Sequence, residues 1–269
     1  RIAYELMNKE QAREFENTME MNLSHLDRAV GNFRVNVFRQ RGTISLVIRY
    51  VRSNVPPFEQ LKLPSVLLDL VTEKRGLVLV AGATGSGKST TLAAMIDKIN
   101  RETHQHIITI EDPVEFLHQH KSCIVNQREL HADTHSFGNS LKSALRQDPD
   151  VVLIGEMRDL ETIESALRIA ETGHLTFGTL HTNSAAQTIN RVVDFYPETM
   201  QQQARIMLSE TIKAIISMRL LPMVGGGRLP AMEIMKSTGR IREFIIDPSQ
   251  TEMIKLAMEE GEAEGMITF

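Results

Sequence analysis

The chain has 269 residues, of which 42% are hydrophobic and 24% charged, a composition typical of a folded protein with about two domains. Its 30 basic and 34 acidic side chains give a net charge of −4, which argues against a general nucleic-acid binder. The single cysteine, Cys123, excludes an intramolecular disulfide and a zinc site built from several cysteines. No apolar run approaches the roughly 18 residues of a membrane-spanning helix, so we expect no transmembrane segment.

Residues 1–53 predict a small α+β domain. Residues 1–20 have the pattern of a helix, and residues 33–39 and 43–51 alternate apolar and polar side chains like the strands of a hairpin. Two successive prolines then interrupt the pattern, so we take residues 54–60 as a linker. Because few strands remain to cover the second face of the hairpin, we expect this domain to be incomplete.

Residues 61–269 predict an α/β domain with a parallel sheet, because short apolar runs alternate with helical patterns. Strands are predicted at 77–81, 107–110, 151–154 and 175–180, with helices between them at 88–100, 138–147, 160–171 and 184–193. A long helix at 198–220, a strand at 228–235 and helices at 239–246 and 250–260 complete the predicted order. Right-handed crossovers between successive strands make such a sheet parallel.

Residues 82–89 match the phosphate-binding pattern G-x-x-x-x-G-K-[ST], with a predicted strand before it and a predicted helix after it. In that arrangement backbone N–H groups and the helix N-terminus face the phosphates. Lys88 is expected to reach the β- and γ-phosphates of ATP, and the Ser89 hydroxyl to bind Mg²⁺. The residues predicted to bind the nucleotide are Ala83, Thr84, Gly85, Ser86, Gly87, Lys88, Ser89 and Thr90.

Hydrolysis also needs a group that orients water and a ligand for Mg²⁺. Glu111 follows one predicted strand, and Glu156 follows another, with Gly155 at the position where aspartate is usual. His181 follows a third strand, where an imidazole can donate a hydrogen bond to a γ-phosphate. Since the carboxyl ends of parallel strands meet at one edge, we expect the three to lie together. The residues alone leave the order of the two carboxylate roles open.

The stretch from Arg28 to Phe58 contains no Asp, Glu or Lys, so arginine supplies all of its charge. The arginines of this stretch are Arg28, Arg34, Arg39, Arg41, Arg49 and Arg52. A planar guanidinium suits two-point contact with phosphate or carboxylate. The alternative is a strand pair whose outer face is solvated by arginine.

Four segments, in this order, resemble the Walker A, Asp box, atypical Walker B and His box motifs of the secretion-type ATPases: 82–89, 108–115, 155–159 and 173–183. The likeness continues through 225–228 and 233–235 and covers nearly the whole chain. A single cysteine excludes the tetracysteine zinc insert of many extension motors, which favours the PilT/PilU branch, the type IV pilus retraction ATPases. Residues 155–162 are more similar to PilT and residues 118–125 to PilU.

The resemblance implies a RecA-like P-loop NTPase domain, a smaller PAS-like N-terminal domain, and ATP with Mg²⁺ bound between them. It implies that Glu111 activates water and that Glu156 supports Mg²⁺ and the phosphates. Among the arginines it points first to Arg34 as a catalytic group that approaches the phosphates, and then to Arg39, Arg41 or Arg49.

The resemblance further implies a homohexameric motor that hydrolyses ATP and powers pilus retraction and twitching motility. Such a motor works at the cytoplasmic face of the inner membrane, on a membrane-embedded pilus platform protein, in some systems beside a paired retraction ATPase. The alternative is a weakly hydrolysing, nucleotide-dependent accessory subunit. A nucleic-acid translocase is disfavoured by the acidic total charge.

Overall fold

The computed structural model describes residues 1–27, 30–51 and 54–269. The chain divides into two compact units. The small unit comprises Arg1–Asn54 and Glu115–Leu117, and the large unit comprises Val55–Val114 and His118–Phe269. Among the described residues, no helix has both the length and the apolar surface needed to cross a membrane.

The small unit contains two helices and a three-stranded antiparallel sheet. Its elements are α1 (Ile2–Leu6), α2 (Lys9–Thr18), β1 (Glu20–Asp27), β2 (Gly31–Gln40) and β3 (Thr43–Val51), with the strands in the order β1-β2-β3. The predicted hairpin is confirmed. The single helix predicted over 1–20 is wrong, because Asn8 and Gln11 form a capping box that starts a second helix. The strand β1 was not predicted.

The core of the small unit lies between α2 and one face of the sheet. Phe15 of α2 is fully buried, and Val35 and Val37 of β2 are nearly so. Alternate residues of a strand face opposite sides, so Arg34 lies on the other face of β2.

The large unit is built around one seven-stranded sheet. Its helices and strands in chain order are α3 (Val66–Val71), β4 (Gly76–Ala81), α4 (Lys88–Glu102), β5 (His106–Glu111), β6 (Ile124–Glu129), α5 (Phe137–Ala144), β7 (Val151–Ile154), α6 (Leu160–Glu171), β8 (Leu175–Leu180), α7 (Ala185–Asp194), α8 (Glu198–Thr211), β9 (Ile212–Pro222), β10 (Arg228–Lys236), α9 (Gly239–Ile246) and α10 (Met253–Glu260).

The strand order is β10-β9-β4-β8-β7-β5-β6; β10 runs antiparallel to β9, and the other neighbours are parallel. The strands β4, β7 and β8 are buried along their whole length. They are buried because α3 and α4 pack on one face of the sheet, whereas α5 to α10 contribute to the core on the other. The prediction of a RecA-like α/β domain with a parallel-rich sheet is confirmed.

The long helix predicted over 198–220 is wrong. The helix α8 ends at Thr211, and Ile212–Pro222 forms β9, which pairs with β4 and β10. The run from Ile212 contains β-branched residues, which fit a sheet better than a helix, and pairing on both sides adds to that preference. The edge strand β6 was also not predicted.

The helix α4 holds a loop segment, residues 118–123, against its C-terminal half. The Asn100 side chain donates to the Gln119 carbonyl at 2.7 Å and accepts from the Lys121 N–H at 3.1 Å. The buried Asp97 carboxylate forms ion pairs with Lys121 and, at 2.6 Å, with Arg101. The segment is therefore fixed by polar side chains of one helix.

The Cys123 thiol lies buried at the end of this segment. Its sulfur accepts a hydrogen bond from the Gln105 N–H at 3.3 Å and lies 3.2 Å from the Thr103 hydroxyl. These contacts are with the connection between α4 and β5.

Candidate active site

The phosphate loop connects β4 to α4 at the carboxyl edge of the sheet. Gly82, Gly85 and Gly87 have φ values of +146°, +81° and +99°, a region that side-chain-bearing residues rarely adopt. A Cβ at Gly82 would lie only 2.6 Å from the Met218 carbonyl oxygen. The close approach of β9 to the loop therefore requires glycine there.

Three features of the loop suit a polyphosphate. The buried Lys88 ammonium donates to the Gly82 and Ala83 carbonyls at 2.5 and 3.1 Å, so it is held inside the loop. In the part of the chain that the structure describes, no side chain caps the first amides of α4. The buried Ser86 hydroxyl has no hydrogen-bond partner among the described residues. Each supplies a donor or a charge for phosphate oxygens.

The donor set also suits Mg²⁺. Ser89 lies exposed in the first turn of α4. Glu156 supplies carboxylate oxygens, and the positive charge of Lys88 helps to lower its pKa. The described residues contain no cluster of three His, Cys, Asp or Glu side chains that would hold a metal unaided. Mg²⁺ commonly binds through one or two protein oxygens together with phosphate oxygens and water, and the Ser89 hydroxyl and the Glu156 carboxylate are oxygens of that kind.

Glu111 ends β5, and its carboxylate is oriented by two neighbours. The Thr109 hydroxyl donates to Oε1 at 2.8 Å, and the Gln127 amide donates to the same oxygen at 3.2 Å. Both donors lie on strands, so the carboxylate is fixed by the sheet itself.

The absence of a side chain at Gly155 follows from how closely β5 and β7 approach each other. The Gly155 N–H donates to the Ile110 carbonyl at 2.8 Å. A Cβ at Gly155 would lie 3.0 Å from the Glu111 Cα, tighter than nearly all real contacts. An aspartate at this position would require the β5 backbone to shift by a few tenths of an ångström, whereas the next residue, Glu156, carries its carboxylate.

Glu156 lies within reach of two cationic or potentially cationic side chains. Arg158 Nη2 is 2.6 Å from Glu156 Oε2, and His181 Nε2 is 3.1 Å from Glu156 Oε1. Burial by itself raises the pKa of Glu156, but the hydrogen bond from Arg158, together with the charges of Arg158, His181 and Lys88, lowers that pKa below its usual value. Glu156 is therefore ionised at neutral pH.

Arg158 and Asp112 were missed by the sequence reasoning. Arg158 bridges the two strand ends, because its Nη1 also lies 3.2 Å from Asp112 Oδ2. A signal was present in the sequence, since Asp112 follows Glu111 directly and Arg158 lies two residues after Glu156.

The other histidine of the His box region, His174, does not lie at this edge. It precedes β8, and its Nδ1 lies 3.0 Å from the Ile169 carbonyl near the end of α6. It therefore contributes to the end of a helix.

The described arginines of the small unit differ in what they contact. Arg34 lies opposite Arg49 on the same face of the sheet, and its Nη1 is 4.0 Å from Glu115 Oε1. Arg39 lies on the other face, paired with Glu16 at 2.8 Å. Arg41 lies in the β2–β3 turn with φ +47°. Arg28 and Arg52, which the sequence placed in the same set, lie outside the described residues.

A glycine-rich loop runs from a buried strand into a helix, and carboxylates lie at the ends of two other strands of the same sheet. The large unit is therefore of the P-loop ATPase class. The whole chain belongs to the Type II/IV secretion system protein family, whose family model matches residues 14–257.

Within this family, the chain is similar to individual type IV pilus ATPases. The chain is 49% identical to the type IV pilus retraction ATPase PilT of Pseudomonas aeruginosa, over 99% of this chain and 77% of that protein. It is 44% identical to the type IV pilus ATPase PilU of the same organism, over 98% of this chain and 69% of that protein. A crystal structure of the pilus retraction motor PilT with bound ADP superposes with a TM-score of 0.91 at 48% identity, covering 99% of this chain and 80% of that one.

Proposed function

We propose that the protein is an ATPase that powers type IV pilus retraction, and hence twitching motility, by coupling hydrolysis to mechanical movement. The observation that carries the proposal is the phosphate loop on a sheet whose strands β5 and β7 lead into Glu111 and Glu156, in a chain similar to PilT over 99% of its length. The similarity to an ADP-bound motor supports nucleotide use by the same loop.

In the proposed site, residues 83–90 bind the phosphates of ATP through backbone amides, with the Lys88 ammonium on the β- and γ-phosphates. The Ser89 hydroxyl and the Glu156 carboxylate hold Mg²⁺. When bound, that ion neutralises the charge of the phosphates. Glu156 is suited to this role because its lowered pKa keeps it charged.

Glu111 orients the attacking water and accepts its proton. Its orientation by Thr109 and Gln127 supports this role, since a general base must be fixed within hydrogen-bond reach of the proton that it takes. His181 donates to the γ-phosphate from the end of β8, and Arg34 acts as the arginine finger.

We further propose a domain organisation, an oligomeric state and partners for this ATPase. The division is a PAS-like domain at 1–53, a linker at 54–60 and the ATPase domain at 61–269. Six copies form a ring at the cytoplasmic face of the inner membrane. The ring acts on a pilus platform protein, and a paired retraction ATPase joins it where one is present.

The first test is steady-state ATP hydrolysis by the purified full chain with Mg²⁺. Lys88→Ala and Glu111→Gln are each expected to lower kcat by about 100-fold or more. Glu111→Gln should keep its affinity for ADP, because the side chain acts on water. Glu171→Gln is the matched control, since Glu171 is an exposed carboxylate at the end of α6. Equal rates in all four proteins would refute the site.

A second candidate function is that of an accessory subunit which binds ATP and hydrolyses it weakly. The observation that favours it is the position of the carboxylate after β7, at Glu156, with Gly155 where aspartate is usual. Negligible turnover by the wild-type protein alone, restored when a PilT-type motor is added, would select this function over the first.

A further inference from the structure

One buried carboxylate of the large unit, that of Glu233, lies outside the residues proposed to bind the nucleotide. Glu233, on β10, is 7% exposed. Its Oε1 accepts from the Ala185 N–H at 2.7 Å and from the Ser217 hydroxyl at 3.2 Å. Burying a carboxylate is costly unless it is hydrogen-bonded, so these donors explain how Glu233 is tolerated in the sheet.

The two donors to Glu233 lie on different elements, the helix α7 and the strand β9. Ala185 is the first residue of α7, where an acceptor satisfies an otherwise unpaired amide and a negative charge meets the positive end of the helix dipole. Ser217 pairs with Glu233 on one side and with Ala81, the last residue of β4, on the other. Glu233 thus joins the start of α7 to the strands beside the phosphate loop.

The turn between β8 and α7, residues 181–184, is fixed at both ends by these contacts. At one end Leu180 pairs with Ala81 in the sheet. At the other end the Ala185 N–H is bonded to Glu233. His181, in this turn, lies 3.1 Å from Glu156.

We propose that Glu233 is a positioning residue for hydrolysis, which sets the 181–184 turn and thereby the place of His181 beside Glu156. The inference rests on the proposed function, because it takes His181 to act in hydrolysis. The hydrogen-bond acceptor is what matters, so glutamine replaces Glu233 well and an apolar side chain of similar length does not.

The test compares Glu233→Met with Glu233→Gln in the full chain. Glu233→Met is expected to lower kcat roughly 10-fold or more while KM for ATP and the affinity for ADP change less than about 2-fold, since a small misplacement costs rate before it costs binding. Glu233→Gln keeps an oxygen for both donors and should stay within about 3-fold of wild type. A parallel loss of kcat and ADP affinity in Glu233→Met, with a lowered melting temperature, would assign Glu233 to folding alone.

A double-mutant cycle tests whether Glu233 acts through His181. In a His181→Ala background, Glu233→Met should change kcat by less than about 2-fold, because the group that it positions is gone. Fully additive losses would overturn the proposal. If Glu233→Met does not fold, Ala185→Pro removes the same bond from the donor side, and proline suits the first position of a helix.

Amide hydrogen exchange separates this inference from the function on which it rests. Glu233→Met should speed exchange in residues 181–188 and leave the loop at 83–90 unchanged. Unchanged exchange in 181–188 would overturn the anchoring by Glu233. Faster exchange there with wild-type kcat would instead refute the role of His181, and a wild-type protein without ATPase activity would refute the proposed function itself.

Discussion

The charge of Glu156 depends on the residue two positions further along. Burial opposes ionisation of the carboxylate, and the hydrogen bond from Arg158 at 2.6 Å reverses that effect, so the pKa lies below its ordinary value of 4.5. The lowered pKa keeps Glu156 ionised as the pH falls, until the pH passes below that pKa. Arg158 therefore controls the charge of a carboxylate to which we assign Mg²⁺ in the proposed function.

Arg158→Gln is expected to raise the pKa of Glu156, since burial then acts without the opposing hydrogen bond. The acidic limb of the kcat/KM profile should shift to higher pH, because the proposed role of Glu156 requires its carboxylate form. The measurement is kcat/KM between pH 5 and 8. Arg101→Gln is the control, since Arg101 pairs with Asp97 on α4. A limb that stays in place in Arg158→Gln would contradict the assignment of Glu156.

Among the elements, the helix α4 has contacts at both ends. Its first turn follows directly from the phosphate loop, and its C-terminal half holds the 118–123 segment.

Within the 118–123 segment, burial lowers the pKa of His118 to about 4, and the charge of Asp97 opposes that shift. The His118 Nδ1 is buried without a partner among the described residues. The imidazole is therefore neutral in the folded protein at neutral pH.

The stability of the large unit should depend on pH through His118. Between about pH 4 and the unfolded value of 6.5, the unfolded chain binds the extra proton, so stability falls as the pH falls through this window. The expected loss reaches about 3 kcal/mol at pH 4. Urea unfolding at pH 7 and pH 4.5 measures it. His118→Gln should remove this part of the dependence, whereas His135→Gln, at an exposed histidine, should retain it.

The catalytic elements could be predicted from sequence because their signals are local. The strand, phosphate loop and helix around Lys88 follow directly from glycine spacing and apolar runs. The β9 strand could not be predicted this way, since Ile212–Pro222 becomes a strand by pairing with β4 and β10, which are distant in the chain. The preference for glycine at position 155 could not be predicted either, because it depends on how close the β5 backbone lies to Gly155.

At the scale of the whole molecule, each of the two units has its own core. The small unit packs around Phe15, which is fully buried, and a unit of this size buries little surface in total. The phosphate loop, Glu111, Glu156 and His181 all belong to the large unit. Arg34 belongs to the small one.

Phe15→Ala should therefore separate binding from turnover. Removing a buried phenyl ring costs about 3–5 kcal/mol and should unfold the small unit. The affinity for ADP should remain, whereas kcat should fall because the proposed arginine finger, Arg34, is no longer presented on a folded sheet. Phe269→Ala, at a half-exposed ring of the large unit, is the control. A Phe15→Ala protein that keeps wild-type kcat would show that the small unit is not needed for hydrolysis.

The burial of Cys123 has a practical consequence for following such a motor as it works. Its sulfur is buried against α4 and the connection from α4 to β5, where it contacts backbone and hydroxyl groups, so thiol-reactive dyes should not reach it in the folded chain. One cysteine introduced on the surface of each unit would then carry a fluorophore without removal of the natural thiol. Energy transfer between the two dyes would report movement of the units during turnover.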